Sequence, residues 1–295
     1  MTSVEYLLQL IANGIVSGGV YALVALGLTL IFGVLGIINF AHGEFYMLGA
    51  YLGLALVVRL GLPYFGALAA AMAAVALGGI LAERLVFRPL QRGNPTNSII
   101  SSFGLAVALQ TAALHAFGPQ PAVIRTGFAR IPVSFLGVHL TLQRLLIPLV
   151  AGVLVVVFHV LVRHTWMGLS LRAVSQNPDA ARLTGVDVNR VAALTFATGT
   201  ALAGAAGVLI GSVFLMQPTM GSMVVLKAFT VVILGGMGNV YGAVGAGLLL
   251  GITESLTAGF LTNDFKDILA FLVVVLVLLV RPAGLFGKSL ERDRG

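Results

Sequence analysis

The sequence predicts an all-α, polytopic integral membrane protein with about 8–9 transmembrane helices, each needing roughly 20 apolar residues. Three observations carry that prediction. Of 295 residues, 59% are hydrophobic and only 9% charged, with a mean hydropathy of +1.05, whereas an ordinary soluble domain carries about 25% charged residues. Charge-free runs such as 6–41, 191–226 and 228–253 are long enough to cross the hydrocarbon core. The basic residues, finally, gather in alternate connections between those runs.

Taken in order, the expected crossings fall at 5–33, 40–58, 63–86, 97–117, 144–163, 190–216, 222–236, 240–260 and 265–281. The seventh is short enough to be re-entrant instead, which would change the parity. Gly clusters interrupt two of the long runs, at Gly33 to Gly36 and at Gly235 to Gly242, and hint at an internal repeat. The connection Gly118 to Gln143 carries Pro119, Pro121, Pro132 and alternating apolar residues over 131–140, which predicts an extended or hairpin element on the outer surface. No soluble domain or linker is evident, so residues 1–295 read as one transmembrane domain.

Orientation follows from charge. With an outer N-terminus and an inner C-terminus, the inner connections hold Arg84, Arg88, Arg92, Arg163, Arg172, Arg182, Arg190, Arg281, Lys288, Arg292 and Arg294, eleven of the 17 Lys and Arg residues. Arg59, Arg125, Arg130, Arg144 and Lys266 lie outside, and Lys227 within a span. This scatter explains the net charge of +7 by orientation against membrane lipid and argues against a nucleic-acid partner. The first residues lack a basic n-region, so no cleavable signal is expected. With no cysteine, disulfides and thiolate metal sites are excluded. There is no G-x-x-x-x-G-K-[ST] or G-x-S-x-G sequence and no cluster of catalytic type, so the chain is expected neither to load ATP nor to act as an enzyme.

One inner connection departs from the apolar background. From Arg172 to Gly185 the sequence carries its own start and stop signals: Asn177 as N-cap, Pro178 at the first helical position, Asp179 at the positive end of the helix dipole, and Gly185 as a left-handed C-cap. It predicts a short polar helix presented to a soluble partner. The stretch Asp179-Ala180-Ala181 with Arg182 and Gly185 resembles the acidic-Ala-Ala, three residues, Gly signature of ABC importer permeases, with Asp for Glu. In that family this loop docks into the cytoplasmic ATPase. Small Ala residues allow close approach, and charges such as Arg182 set register at a wet interface.

Further stretches narrow the resemblance: Gly14 to Gly27, Asn39-Phe-Ala-His-Gly-Glu-Phe45, Phe87-Arg-Pro-Leu90, Ile233 to Asn239, and Arg281-Pro-Ala-Gly-Leu-Phe-Gly287. Together they resemble the H-type permease subunits of high-affinity branched-chain amino-acid ABC transporters, over the whole chain. The resemblance implies an ABC importer permease of the bacterial inner membrane with a second, M-type permease, two ABC ATPase subunits and a periplasmic solute-binding protein as partners. It implies no cofactor, and it leaves the solute open among branched-chain amino acids, urea, amides and other small amino acids.

The remaining candidates have two readings each. Asn39, His42 and Glu44 stand where the second span begins, either as its cap and first-turn charge or as parts of an inner gate; two possible ligands without His-x-x-x-His spacing argue against metal. Lys227 lies about 7 Å deep in the seventh span, and Glu254 about 9 Å from the outer face in the eighth. Either they pair across neighbouring helices, or Lys227 snorkels and Glu254 faces water. The small residues of the sixth span, including Gly199, Gly204, Gly207 and Gly211, suit tight packing, or a broken helix lining the pathway. Ser101 and Ser102 belong to the same pathway class, and Met216 to Met220 mark an outer turn within reach of the binding protein. The rival to an ABC permease is a stand-alone secondary transporter driven by H⁺ or Na⁺, with Glu254 or Glu44 as carrier.

Overall fold

The structure, a computed structural model, describes residues 3–90, 94–135, 137–262, 265–281 and 283–286; Arg92, Gly287, Lys288, Arg292 and Arg294 lie outside the described residues. Its elements in chain order are α1 (Ser3–Leu35), α2 (His42–Val58), α3 (Tyr64–Ala82), α4 (Pro95–Phe117), β1 (Pro132–Phe135), β2 (Val138–Thr141), α5 (Leu142–His164), α6 (Trp166–Gln176), α7 (Pro178–Leu183), α8 (Val188–Gly211), α9 (Met220–Gly235), α10 (Val240–Phe260) and α11 (Lys266–Val280). A π-helical turn, Glu83–Phe87, and a 3₁₀ turn, Arg88–Leu90, extend α3.

Among the described residues six helices are long and apolar enough to cross a membrane, and three more, His42–Val58, Met220–Gly235 and Phe271–Val280, are apolar but shorter. Two of the shorter helices are limited by local signals. Residues 36–41 leave the helix at Gly36, whose φ of 66° a side chain would strain, and α9 is bounded by Pro218 and by Gly236 at φ 93°.

α1 is the central post, buried at nearly every residue from Gly18 to Ile31. It can be central because glycines let α10 and α8 reach its backbone. A Cβ on Gly18 would stand 2.8 Å from the Leu248 Cα, and one on Gly251 would stand 2.4 Å from the Gly18 nitrogen. Gly14, Gly18 and Ala22 on α1 thus mesh with Gly247 and Gly251 on α10 at the spacing of small-xxx-small interfaces. The small residues of α8 do the same: Gly199 abuts Gly27, Gly204 abuts Gly49, and Gly207 lies on the Tyr46 carbonyl. α8 runs unbroken over its 24 residues, so tight packing, not a broken helix, accounts for them.

The contacts between connections sort into two ends. At one, β1 and β2 form the expected antiparallel hairpin, with Val133 opposite Leu140 and Gly137 turning at φ 78°. His139 there donates to Gln9 (2.8 Å), Tyr6 donates to the Gly259 carbonyl, and Ala122 pairs with Met216. A buried network of Thr126, Gln143, Ser212 and Tyr64 closes that end. Met216 is fully buried, so within the turn expected to meet a binding protein this side chain faces inward. At the other end Gly33 abuts Gly238, joining the two Gly-rich breaks, and Leu285 and Phe286 dock on the α9–α10 turn through Leu234 and Asn239.

Candidate functional site

The charged connection folds as two helices, not one. Thr165 caps α6 by accepting from the Gly168 amide, and Leu171 and Val174 bury its inner face. The helix stops at Asn177, which is extended at φ −157°, the region favoured for a residue preceding proline. The Asn177 side-chain oxygen then accepts from the Asp179 and Ala180 amides, both at 3.0 Å, an N-cap. Arg172 therefore belongs to α6, where its guanidinium holds the Val162 carbonyl at the end of α5; the expectation of one helix from Arg172 to Gly185 is corrected.

The far end of α7 closes with a Schellman motif. Gly185 turns at φ 87°, Val186 donates to the Ala181 carbonyl and Gly185 to that of Arg182. Of the four residues after Asp179, Ala181 is the anchor, buried against the body, while Ala180, Arg182 and Leu183 are exposed. Leu183, at the tip of this connection, is 90% exposed. Arg182 and Asp179 pair at 2.8 Å on the surface, which fixes the display of the two charges more than it stabilises the fold.

α7 also forms one wall of a crevice of about 680 Å³, which it shares with the α1–α2 linker and the end of α3. Pro178 and Arg182 line one side, Gly36, Ile38, Arg88 and Ser98 the others. Arg88 grips the fully buried Glu83 with two hydrogen bonds, 3.0 and 2.6 Å, and donates a third to the Asn189 carbonyl at 3.2 Å. Bidentate forks of this kind are strong and orienting. They tie the end of α3 to the start of α8, the helix that follows α7.

Above the crevice, the α1–α2 linker is stapled to α4. The Phe40 amide donates to Ser102 Oγ (3.2 Å), which donates to the Ile99 carbonyl (2.7 Å). The Phe40 ring stacks on Phe103 at 4.3 Å and meets Phe229 at 4.9 Å. Ser102 is buried while Ser101 is only half-buried and outside this network. Asn39 does not cap α2 as expected: its side chain accepts from the Ala41 amide in a local turn, and Ala41 occupies the cap position. His42 Nε2 meets the Val24 carbonyl at 3.2 Å, and Ser222 on α9 donates to Glu44 at 3.4 Å. Asn39, His42 and Glu44 are all buried, and Asn39 Nδ2, His42 Nδ1 and Glu44 Oε2 have no partner among the described residues. Among the described residues no group of three metal-ligating side chains gathers.

Lys227 and Glu254 pair, as one of the two readings held, at 2.8 Å. Tyr21 on α1 completes the group, donating to Glu254 at 2.7 Å and accepting from Lys227 at 3.3 Å.

With this geometry stands a match over residues 10–278 to the family described as "Branched-chain amino acid transport system / permease component". The chain belongs to that family. The permease is similar to the high-affinity branched-chain amino acid transport system permease protein LivH of Salmonella typhimurium, 33% identical with 96% of each chain covered. It is also similar to BraD of Pseudomonas aeruginosa, 34% identical with 98% of each covered. Among solved structures it is similar to PsaBC from Streptococcus pneumoniae in complex with Fab, with a TM-score of 0.48 and 15% identity over 92% of this chain and 91% of that one. It is a multi-pass, all-α membrane permease subunit of the ABC type.

Sequence reasoning missed three parts of the permease. Glu83 and Arg88 are five residues apart, a spacing that faces one side only in a π turn, so the i,i+4 rule passes over them. Tyr21 was hidden in a featureless apolar run, although a tyrosine hydroxyl in a span needs a partner. The Phe40, Phe103 and Phe229 cluster joins three segments distant in sequence, and nothing local marks it.

Proposed function

We propose that this permease forms half of the transmembrane pathway of an ABC importer for branched-chain amino acids in the bacterial inner membrane. Its partners on this reading are a second, M-type permease, two ABC ATPase subunits and a periplasmic solute-binding protein. The observation that carries the reading is α7: a helix capped at both ends, anchored by Ala181, with Ala180, Arg182 and Leu183 turned outward and a crevice behind it. A solvated loop has no need of such a display. A partner gripping residues 172–185 would move Pro178 and Arg182 against the α1–α2 linker. Through Arg88 and Glu83 the same push reaches the ends of α3 and α8.

On this reading Asn39, His42, Glu44 and Ser102 form the inner gate, with Ser101 on its flank, and Lys227 with Glu254 lies in the outer half. Nine crossings, with the N-terminus periplasmic and the C-terminus cytoplasmic, account best for the alternation of connections between the two ends, since an odd count is needed to part the termini. The loop 118–143 is then periplasmic and the exposed apolar faces of α4 and α5 meet lipid or the partner permease.

Co-purification tests the proposal. A tagged chain, expressed with its neighbouring reading frames, is expected to bring down an ATPase and to lose it when 177–185 is replaced by a Gly-Ser linker. Uptake of leucine by vesicles holding this chain alone would overturn it in favour of an ion-coupled carrier.

A further inference from the structure

A second cavity, of about 410 Å³, opens in the other half of the molecule and takes no part in the coupling route. Its polar lining includes Asn13, Ser17, Tyr21, Tyr46, Arg144 and Glu254; its apolar wall includes Val20, Ile210 and Phe214. Opposite charges thus face one small space that is greasy on one side. The Arg144 guanidinium holds Asn13 at 3.3 Å and lies over the Phe214 ring at 6.0 Å, which occupies one of its five donors and leaves others to take an anion. Glu254 is engaged by Tyr21 and Lys227, yet an ionised carboxylate has about four lone-pair sites. Tyr46 is 4% exposed and lines the cavity beside Tyr21 and Glu254.

Both poles line the same cavity of about 410 Å³. Ser255 donates to the Leu10 carbonyl at 2.6 Å, so the end of α10 that carries Glu254 runs level with Asn13, to which Arg144 is bound. Asn13 and Ser17 are one turn apart, about 6 Å, and side chains on a helix lean toward its N-terminus, which brings the Tyr21 hydroxyl up toward Ser17.

We propose that this cavity is a transit subsite for a zwitterionic α-amino acid, with its carboxylate on Arg144, its ammonium on Glu254 and Tyr46, and its side chain against Val20, Ile210 and Phe214. Lys227 is the reason such a site can release. Because it neutralises Glu254, the ammonium meets a pair and not a bare carboxylate, and transport requires a hold that is weak enough to leave. The inference rests on the permease reading and adds where the solute pauses.

The same zwitterion chemistry belongs to a phosphatidylethanolamine headgroup, so the test must separate the two. The assembled complex, in nanodiscs of phosphatidylglycerol, is irradiated with a diazirine analogue of leucine, and labelled peptides are mapped by mass spectrometry. Label is expected on the segments around Tyr46 and Phe214, and removed by excess leucine. It should fall about tenfold in Arg144→Gln, the loss of one charge-assisted hydrogen bond, and return in Arg144→Lys. Label that excess leucine does not remove, or label confined to other segments, overturns the proposal. So does label abolished by adding phosphatidylethanolamine but not by leucine, which would make this a lipid site. ATP-driven uptake by the same complex is measured alongside: absent label with intact uptake removes the subsite alone, whereas absent uptake and no bound ATPase removes the permease reading beneath it.

Discussion

The Lys227 ammonium lies 2.8 Å from the Glu254 carboxylate, both largely buried, on helices adjacent in sequence. A lone charge in a span costs about 2.5–3.5 kcal/mol on insertion scales, and removing one partner of a buried pair costs about 3–5 kcal/mol because the other is stranded. Lys227→Glu and Glu254→Lys are therefore each expected to lower the unfolding temperature in detergent and to abolish uptake, while the double reversal recovers a substantial part of both. Tyr21 limits the recovery, since its hydroxyl donates to Glu254 while accepting from Lys227. Singles without effect, or a double as impaired as either single, would count against a structural pair.

The exposed face of α7 makes a separable prediction. Leu183→Asp touches no buried neighbour, so the variant is expected to fold and insert normally but to retain little ATPase on purification. Asn177→Ala removes an N-cap worth about 1 kcal/mol and is expected to slow ATP-driven uptake by fraying α7, with no change in unfolding of the transmembrane body. If Leu183→Asp leaves both ATPase retention and uptake at the level of the unaltered chain, α7 is not the docking element.

Much of this was legible in the sequence for physical reasons. Span positions were readable because hydrocarbon allows only internally bonded helices, and α10 falls where its apolar run predicts, at Val240–Phe260. Caps were readable where they depend on one residue and its neighbours, as at Asn177 and Gly185. Pro178 acts twice, starting α7 and forcing the extended Asn177 that ends α6. Asn39 misled because an Asn before a helix can cap it or can turn the chain just ahead of it, and only the backbone decides. The Glu83–Arg88 fork and the Phe40 cluster depend on a π turn and on tertiary approach, which periodicity does not record.

Close backbone approach predicts a sharp contrast among glycines. At Gly18 a side chain would collide with the Leu248 backbone, whereas at Gly104, in the middle of α4, nothing lies within 4 Å of an added Cβ. Gly18→Leu is expected to abolish accumulation of the folded protein. Gly104→Ala is expected to be tolerated and to raise stability by about 0.5–1 kcal/mol, since alanine replaces glycine inside a helix. Thermal unfolding of the two variants in one detergent checks both signs; a destabilising Gly104→Ala would mean that α4 packs against something at that point.

Adjacent serines give the last contrast. Ser102 Oγ is the acceptor for the Phe40 amide and is buried, while Ser101 is outside that network. Ser102→Ala leaves the Phe40 N–H without that partner beside a packed aromatic cluster, at a cost of about 1–3 kcal/mol, and the cost falls on the α1–α2 linker, not on the whole fold. Hydrogen exchange of the peptide spanning 36–41 is therefore expected to quicken about tenfold or more in Ser102→Ala and to stay unchanged in Ser101→Ala. Because the linker walls the crevice behind α7, ATP-driven uptake should fall in the first variant alone. Equal behaviour of the two serines in both measurements would detach the linker from the gate and leave Phe40 as a packing residue only.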